Sequence, residues 1–564
     1  MERRFAWIAA RGWPDDEFSL NCAVMSPTST LGMIFRSQAV ARKDAPFIVF
    51  PGQTVTYGEA FTRAQAIALA LIDRGIKPGD HVAVLMPNCV EAALIFLGTH
   101  LAGAVAVPIN ARFKRRELSH VIAHSDSRIL FTTNAVREHV DFVKLIWDAL
   151  PTLRDQKAAS RLSLSEAPRL EAIVVAHGAA PEQGMTLDEF LNDRDSSAPK
   201  ALPTTWPSLS DDACAYLLYT SGTTADPKGC EITHRAIILS WSAYADVIGF
   251  QSQDAIWTPC PFFHVGGIGP MATAMIRGGQ LLSMTHFDAD IAVQFILQHQ
   301  PAHLFPAFPQ LTLGTLRSRH YAAERFGFVR TVLNVGPPDM QAQIQRMLPH
   351  SAVLLNDYGM TEGSGIITAT RRQDPPSERF NTNGYPMPGI EIRIIDPIAR
   401  NVVDAGIPGE IQFRGVNAFR GYYKDKRATA AAIDSQGWVS SGDCGALNAN
   451  GALIFIGRIK DILKVGGENV APAEIEAHLG THPSVKIAQV IGRADGRYGE
   501  VPVAFVELLP GASVSDAELI AHCVGYLASF KVPREVRFIA EWPTSATKIQ
   551  KFKLRELLDK DLAT

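Results

Sequence analysis

Between residues 54 and 109 the apolar pattern changes period three times, and that rhythm limits the fold more than any composition does. Tyr57 to Arg74 carries apolar residues at helical spacing, His81 to Met86 is a short strand, Ala92 to Ala102 is helical, and Val105 to Ile109 is again a strand. Short parallel strands need long crossovers, so such alternation implies an α/β layer with helices covering the sheet. The most membrane-like stretch, Val90 to Ile109, is broken by Glu91, His100 and Pro108. It reads as a buried helix followed by a strand, and no integral membrane span is expected.

Further strands are expected at Arg128 to Thr132, Ala213 to Tyr219, Ala255 to Pro259, Gln280 to Met284, Thr331 to Val335 and Val353 to Leu355. Helical spacing recurs near Ala289 to His299 and Met340 to Met347. The polar stretch Leu187 to Asp212 reads as the loop into a second α/β lobe. From Glu391 to Phe413, and again at Leu453 to Ile456, alternation without crossover helices marks a small β-rich subdomain, about residues 385–457. After Arg458 an α+β pattern follows, with helices at Glu474 to Leu479 and Asp516 to Tyr526 and strands at Ile487 to Ile491, Pro502 to Leu508 and Val536 to Ile539. The expected architecture is an N-terminal region, 1–457, of two α/β lobes plus the β-rich subdomain, then a C-terminal domain, 458–564.

A formal net charge of −3 over 564 residues gives no global attraction to nucleic acid or to anionic membranes, and Lys114-Arg115-Arg116 is too short to change that. Seven cysteines without a C-x-x-C pair, and an N-terminus without a sustained apolar run, suggest a reducing, cytoplasmic setting. Chemistry concentrates in Tyr219 to Gly229, which holds two glycines, four Ser or Thr hydroxyls and one lysine in eleven residues. Backbone and hydroxyl donors beside a lysine suit a phosphate, although a polar surface turn has the same composition. The spacing is not that of a P-loop, since Lys228 lies between Pro227 and Gly229.

In family order along the chain stand Tyr219 to Gly229, Pro261-Phe-Phe-His264, Tyr358-Gly-Met-Thr-Glu362, Ser441-Gly-Asp443, Gly457-Arg-Ile-Lys-Asp461, Lys464 to Glu476 and Lys548-Ile-Gln-Lys551. In these motifs the chain resembles the adenylate-forming superfamily, and within it the acyl-CoA synthetases. The resemblance implies ATP, CoA, Mg²⁺ and a small-molecule carboxylic acid as ligands, with a hydrophobic or aromatic acid activated as its adenylate before transfer to CoA. Loading of a carrier protein instead, or a noncatalytic nucleotide-binding role, stays open, and a homo-oligomer is compatible with either.

The same resemblance assigns roles to residues. Lys548 would reach the carboxylate and α-phosphate during adenylation, with His264 and Thr361 near the reacting groups. Thr220, Ser221, Gly222, Thr223, Thr224 and Lys228 would surround the β- and γ-phosphates. Gly336, Pro337 and Tyr358 would meet adenine, while Asp443 and Arg458 would hold the ribose; outside the family context Asp443 could equally cap a turn. Glu362 would hold Mg²⁺ directly or through water. Lys460 would be the hinge of a mobile C-terminal lid, and Gly466, Gly467 and Glu468 the loop that enters for thioester formation. His264 and Val335 would line the acyl pocket. Three residues depart from the family pattern: Ala225 and Thr547 replace usual glycines, and Val335 replaces the first of a double glycine, arguing against an ordinary unbranched fatty-acid tunnel.

Overall fold

The computed structural model describes residues 29–156, 161–193, 201–202, 209–220, 226–466, 468–545 and 548–562. Two seven-stranded sheets form the body. In one, the strands run in the order Met185–Thr186, Ala172–Val175, Ser127–Thr132, His81–Leu85, Val105–Pro108, Cys214–Thr220 and Lys228–Thr233, parallel except for the final hairpin. In the other they run Val353–Leu355, Thr331–Asn334, His303–Ala307, Ala255–Trp257, Gln280–Leu282, Pro46–Phe50 and Gln53–Thr56, again parallel up to a closing hairpin. The expected crossover helices are present at Tyr57–Asp73 and Val90–Leu101. Thr56 and Glu59 form a capping box that starts the first, and all twelve residues of the second are buried. A helix apolar on every side has no face to show to water, so it lies between layers.

One expectation about chain order is corrected. The polar stretch ending at Asp212 does not lead into a new lobe, because Cys214–Thr220 pairs with Val105–Pro108 and completes the sheet already begun. The second sheet instead takes Pro46–Thr56 from near the start and resumes at Ala255. Parallel pairing is non-local, so sequence adjacency does not decide which sheet a strand joins.

A four-stranded antiparallel sheet follows, Ile390–Ile395, Gly409–Gly415, Val439–Leu447 and Leu453–Arg458. Beyond it the strands Glu468–Val470, Leu463–Val465, Gly499–Leu508 and Val485–Asp495 form a separate sheet, with Glu535–Phe538 parallel to Gly499–Leu508. Helices Pro472–Leu479 and Asp516–Cys523 pack on it, the second ending three residues before the expected Tyr526. Leu463, Val470, Ile475, Leu479, Val490, Val506 and Leu519 give this part its own core. No helix among the described residues is long and apolar enough to cross a membrane.

Candidate active site

The hairpin Cys214–Thr220 with Lys228–Thr233 sets Thr220 opposite Lys228, so the hydroxyl-rich segment between them leaves from paired strand ends. Helix Arg115–His124 buttresses both ends: His124 Nδ1 lies 2.8 Å from the Tyr219 hydroxyl, and His120 Nε2 lies 3.1 Å from the Pro227 carbonyl. Arg116 adds an ion pair to Asp226 at 3.1 Å. Ser221, Gly222, Thr223, Thr224, Ala225, Gly467 and Thr547 lie outside the described residues, as does the side chain of Lys548. The Lys548 backbone forms a two-residue strand opposite Thr544–Ser545.

Strand Asp357–Met360 delivers the next group of residues. It ends in the single 3₁₀ turn Thr361–Gly363, closed by Ser364 and Gly365 at φ 54° and 114°. Gly359 is required here, since an added Cβ would stand 1.9 Å from the Gly365 carbonyl oxygen. Thr361 opens the turn, and the Glu362 carboxylate is buried and accepts a 2.8 Å hydrogen bond from the Tyr422 hydroxyl. The Tyr422 ring also faces Lys228, whose Nζ is 5.1 Å from its centroid. One tyrosine therefore joins the lysine at the end of the hydroxyl-rich segment to the acidic residue of the turn. Burial first, and then the nearby Glu362 carboxylate, push the Tyr422 phenol well above its usual range, so it remains a donor.

On the same strand Tyr358 donates to Asp443 Oδ2 at 2.7 Å and stacks on Phe455 with centroids 5.6 Å apart. Asp443 and Arg458 face each other across the strands Val439–Leu447 and Leu453–Arg458, and the guanidinium Nε comes within 2.8 Å of Asp443 Oδ1. Asp443 is only 3% exposed. Its expected turn-capping alternative is set aside, because it lies inside a paired strand. Each carboxylate oxygen has two acceptor positions, so Tyr358 and Arg458 leave capacity for a diol.

His264 opens helix Val265–Arg277 without capping it by its side chain, and its ring packs on Phe263 at 4.9 Å. Asn88 holds the preceding loop by accepting from the Phe262 amide at 2.7 Å and donating to the Cys260 carbonyl at 2.9 Å. Val335 and Gly336 follow strand Thr331–Asn334; the Val335 amide donates to the Ala307 carbonyl at 2.8 Å, and the Gly336 carbonyl accepts from Asn356 Nδ2 at 3.4 Å. Val335 is partly exposed, and Pro337 precedes helix Pro338–Met347. Residues 335–337 thus lie beside the start of the Tyr358 strand.

Lys460 sits in the 3₁₀ turn Ile459–Asp461, where burial draws its ammonium below the usual range despite Asp461. Gly466, at φ 61°, donates to the Tyr498 carbonyl at 2.7 Å, and Glu468 starts the return strand opposite Val465. Glycine suits the positive φ of Gly466. The structure therefore brings together Lys228, Glu362, Tyr358, Asp443 and Arg458 through direct contacts or one shared ring. Tyr422, Phe455, Asn88 and Asp357 went unnoticed in the sequence; the pair Tyr422-Tyr423 directly after Gly421 was the available signal.

Among the described residues no group of three or more His, Cys, Asp or Glu side chains is placed to hold a metal ion. A magnesium bound mainly through phosphate oxygens needs only one or two carboxylates, and Glu362 keeps Oε2 beyond its bond to Tyr422.

The family described as AMP-binding enzyme matches residues 35–423, and its C-terminal domain matches residues 474–548. YngI of Bacillus subtilis, a proposed acyl-CoA synthetase, is 32% identical over 94% of this chain and 97% of its own length. Sulfoacetate–CoA ligase of Cupriavidus necator is 30% identical over 93% of this chain and 97% of its own length. The crystal structure of an anthranilate CoA ligase in complex with anthranoyl-AMP superposes with a TM-score of 0.82 at 23% identity, covering 96% of this chain and all of that one, which supports the fold. The chain belongs to the AMP-binding enzymes, in their acyl-CoA synthetase family.

Proposed function

We propose that this protein joins a hydrophobic or aromatic carboxylic acid to coenzyme A in two steps. In the first, a carboxylate oxygen attacks the α-phosphorus of ATP, a C–O–P bond forms, the bond to the β-phosphate oxygen breaks, and pyrophosphate leaves. In the second, the CoA thiol attacks the acyl carbonyl, AMP leaves, and the thiol proton passes to solvent. The observation that carries the reading is the strand Asp357–Met360 with its turn, which unites Tyr358–Asp443–Arg458 with Glu362–Tyr422–Lys228.

The first step gathers anions, so fixed donors and cations must offset the charge that develops. Lys228 and Thr220, with Ser221, Gly222, Thr223 and Thr224, are assigned to the β- and γ-phosphates. Asp443 takes the ribose hydroxyls on its remaining lone pairs, while Arg458 pairs with its carboxylate and orients it. Tyr358, Gly336 and Pro337 bound the adenine. Glu362 would hold Mg²⁺, which neutralises phosphate charge when bound. Lys548, His264 and Thr361 are assigned to the reacting carboxylate and α-phosphate, and Val335 to the acyl side. Lys460 is assigned to the hinge, and Gly466, Gly467 and Glu468 to the thioester step. The described cysteines are all unpaired, which supports a reducing, cytoplasmic setting.

Pyrophosphate release with ATP and a panel of fatty, branched, aromatic and alicyclic acids tests the first step. Mass detection of the acyl-CoA tests the second. Release that needs both ATP and an acid, followed by thioester on free CoA, is expected. Transfer only to a holo-carrier protein would overturn CoA as acceptor, and no release with any acid would overturn the ligase reading.

A further inference from the structure

Helix Arg115–His124 carries Arg116, His120 and His124 at intervals of four residues, so the three side chains stand on one face, a turn apart. That face runs along the ends of the hairpin Cys214–Thr220 with Lys228–Thr233. His124 Nδ1 meets the Tyr219 hydroxyl at 2.8 Å, one residue before Thr220, and His120 Nε2 meets the Pro227 carbonyl at 3.1 Å, one residue before Lys228. Arg116 pairs with Asp226 at 3.1 Å, but with 86% of its side chain exposed that pair carries little weight. The two imidazoles make the hold, and their rings stack on each other at 5.2 Å.

A carbonyl only accepts, so His120 keeps its hydrogen on Nε2 and donates it to Pro227. Pro227 is buried just outside the hairpin ladder, which opens with Lys228 opposite Thr220, and there a side chain stands in for a ladder partner. Burial first, and then His120 and Lys424, hold the His124 imidazole below its usual range, while burial keeps the Tyr219 phenol protonated. A neutral ring and an intact hydroxyl stay bonded across the working pH.

The same helix end fixes what faces Lys228 from the other side. Tyr423 follows the Tyr422 ring that Lys228 overlies; it meets the His124 ring edge-on at 5.8 Å and donates its hydroxyl to Asp126 at 2.9 Å. Its amide donates to the Gly229 carbonyl at 2.8 Å, and Lys424 pairs with Asp126 at 2.6 Å. Lys228 therefore stands between two segments fastened to one helix, which is itself seated by buried Leu118, Val121 and Ile122. A lysine is a point charge on a flexible stem, so where its backbone is held decides where the charge can act.

Resting on the ligase reading, we propose that His120 and His124 are positioning residues of the adenylation step: they hold the strand ends that present Thr220 and Lys228 to the departing pyrophosphate. Neither touches substrate. The thioester step releases AMP and no pyrophosphate, so it does not call on them.

The test uses the purified full chain. His120→Phe keeps a ring against His124 and removes the donor to Pro227, His120→Gln returns an amide donor, and His124→Phe removes the bond to Tyr219. The readouts are KM for ATP and kcat for pyrophosphate release, transfer of a supplied acyl-adenylate to CoA, and Kd for inorganic pyrophosphate by calorimetry. Each phenylalanine variant should lose about three- to tenfold in kcat/KM for ATP, the contribution of one hydrogen bond, and should bind pyrophosphate more weakly by a similar factor. His120→Gln should stay within about twofold of the parent, and transfer from supplied acyl-adenylate should match the parent throughout. Equal losses in adenylation and transfer, an unchanged kcat/KM for ATP, or no recovery in His120→Gln overturns the inference. Weaker pyrophosphate binding by His120→Phe in a protein that turns over no acid would sink the ligase reading and leave the positioning role standing. Turnover by the parent, with pyrophosphate binding and adenylation unchanged in both phenylalanine variants, would do the reverse.

Discussion

The two faces of strand Asp357–Met360 treat charge in opposite ways. On the Tyr358 face the carboxylate of Asp443 is shared by a phenol and a guanidinium, and beyond the turn Glu362 has Tyr422, which also carries Lys228. On the Asp357 face a carboxyl group is buried without compensation. Paired groups can be held in one geometry before any ligand arrives, which suits the nucleotide common to every turnover. An unpaired buried carboxyl instead costs stability once it ionises. The contrast separates a face whose charges are compensated within the fold from a face where burial alone acts on the carboxyl.

The largest effect expected tests the constant side. Lys548→Ala should slow acyl-adenylate formation by about 10²- to 10³-fold, as loss of one preorganised positive group does in comparable sites. The same variant should still pass a supplied acyl-adenylate to CoA. Equal adenylation rates in rapid-quench assays would remove Lys548 from this step, and loss of both steps would point to folding instead.

Next in size is a stability effect on the other face. Asp357 has a folded-state pKa near 7, above its unfolded value of 3.8, so between those pH values the folded chain holds the extra proton. Stability therefore falls as pH rises through this window, and the penalty is full above it. Asp357→Asn should be nearly neutral at about pH 3, below the unfolded value, and increasingly stabilising as pH rises, by about 2 to 3 kcal/mol at most at pH 8, allowing for local relaxation. Thermal unfolding across that range checks this; a gap between variant and parent that does not widen with pH would mean the carboxylate is compensated.

That contrast was only half visible in the sequence. The repeated change of period announced the α/β body, and the motif order announced Tyr358, Glu362, Asp443 and Arg458, because glycine spacing and residue type survive in a linear reading. Contacts made across the fold left no such trace. Val439–Leu447 reads locally as turn chemistry, with Ser441-Gly442-Asp443 inside it, yet it is a paired strand. Pro46–Phe50 joins Gln280–Leu282 from more than two hundred residues away. Asp357 follows Asn356 and precedes Tyr358-Gly359, a composition that suggests a solvated bend, whereas pairing with Ala369 buries it.

A smaller loss is expected for Asp443→Asn, which keeps the shape but leaves Arg458 facing a neutral amide. One carboxylate oxygen becomes a donor, so both the Tyr358 bond and the diol lose an acceptor. A rise in KM for ATP of about 10-fold or more, with little change in the ranking of acids, is the expected split. A change in acid ranking at constant KM for ATP would break the assignment of this face to the nucleotide.

The smallest effect isolates the tyrosine that links Lys228 to Glu362. Tyr422→Phe keeps the ring beneath Lys228 and removes only the hydroxyl that Glu362 accepts. A single hydrogen bond contributes about 1 kcal/mol net, so kcat/KM for ATP should fall roughly three- to tenfold, with the magnesium titration displaced to higher concentration. Tyr422→Leu also removes the ring and should lose more, the extra loss being carried by Lys228. Because the phenol stays protonated across the working range, the Tyr422→Phe deficit should be independent of pH from 6 to 9. A magnesium titration that overlays the parent, with ATP use unchanged, would show that Glu362 is held by the turn Thr361–Gly363 alone, and that charge on this face is organised by the backbone without help from the tyrosine.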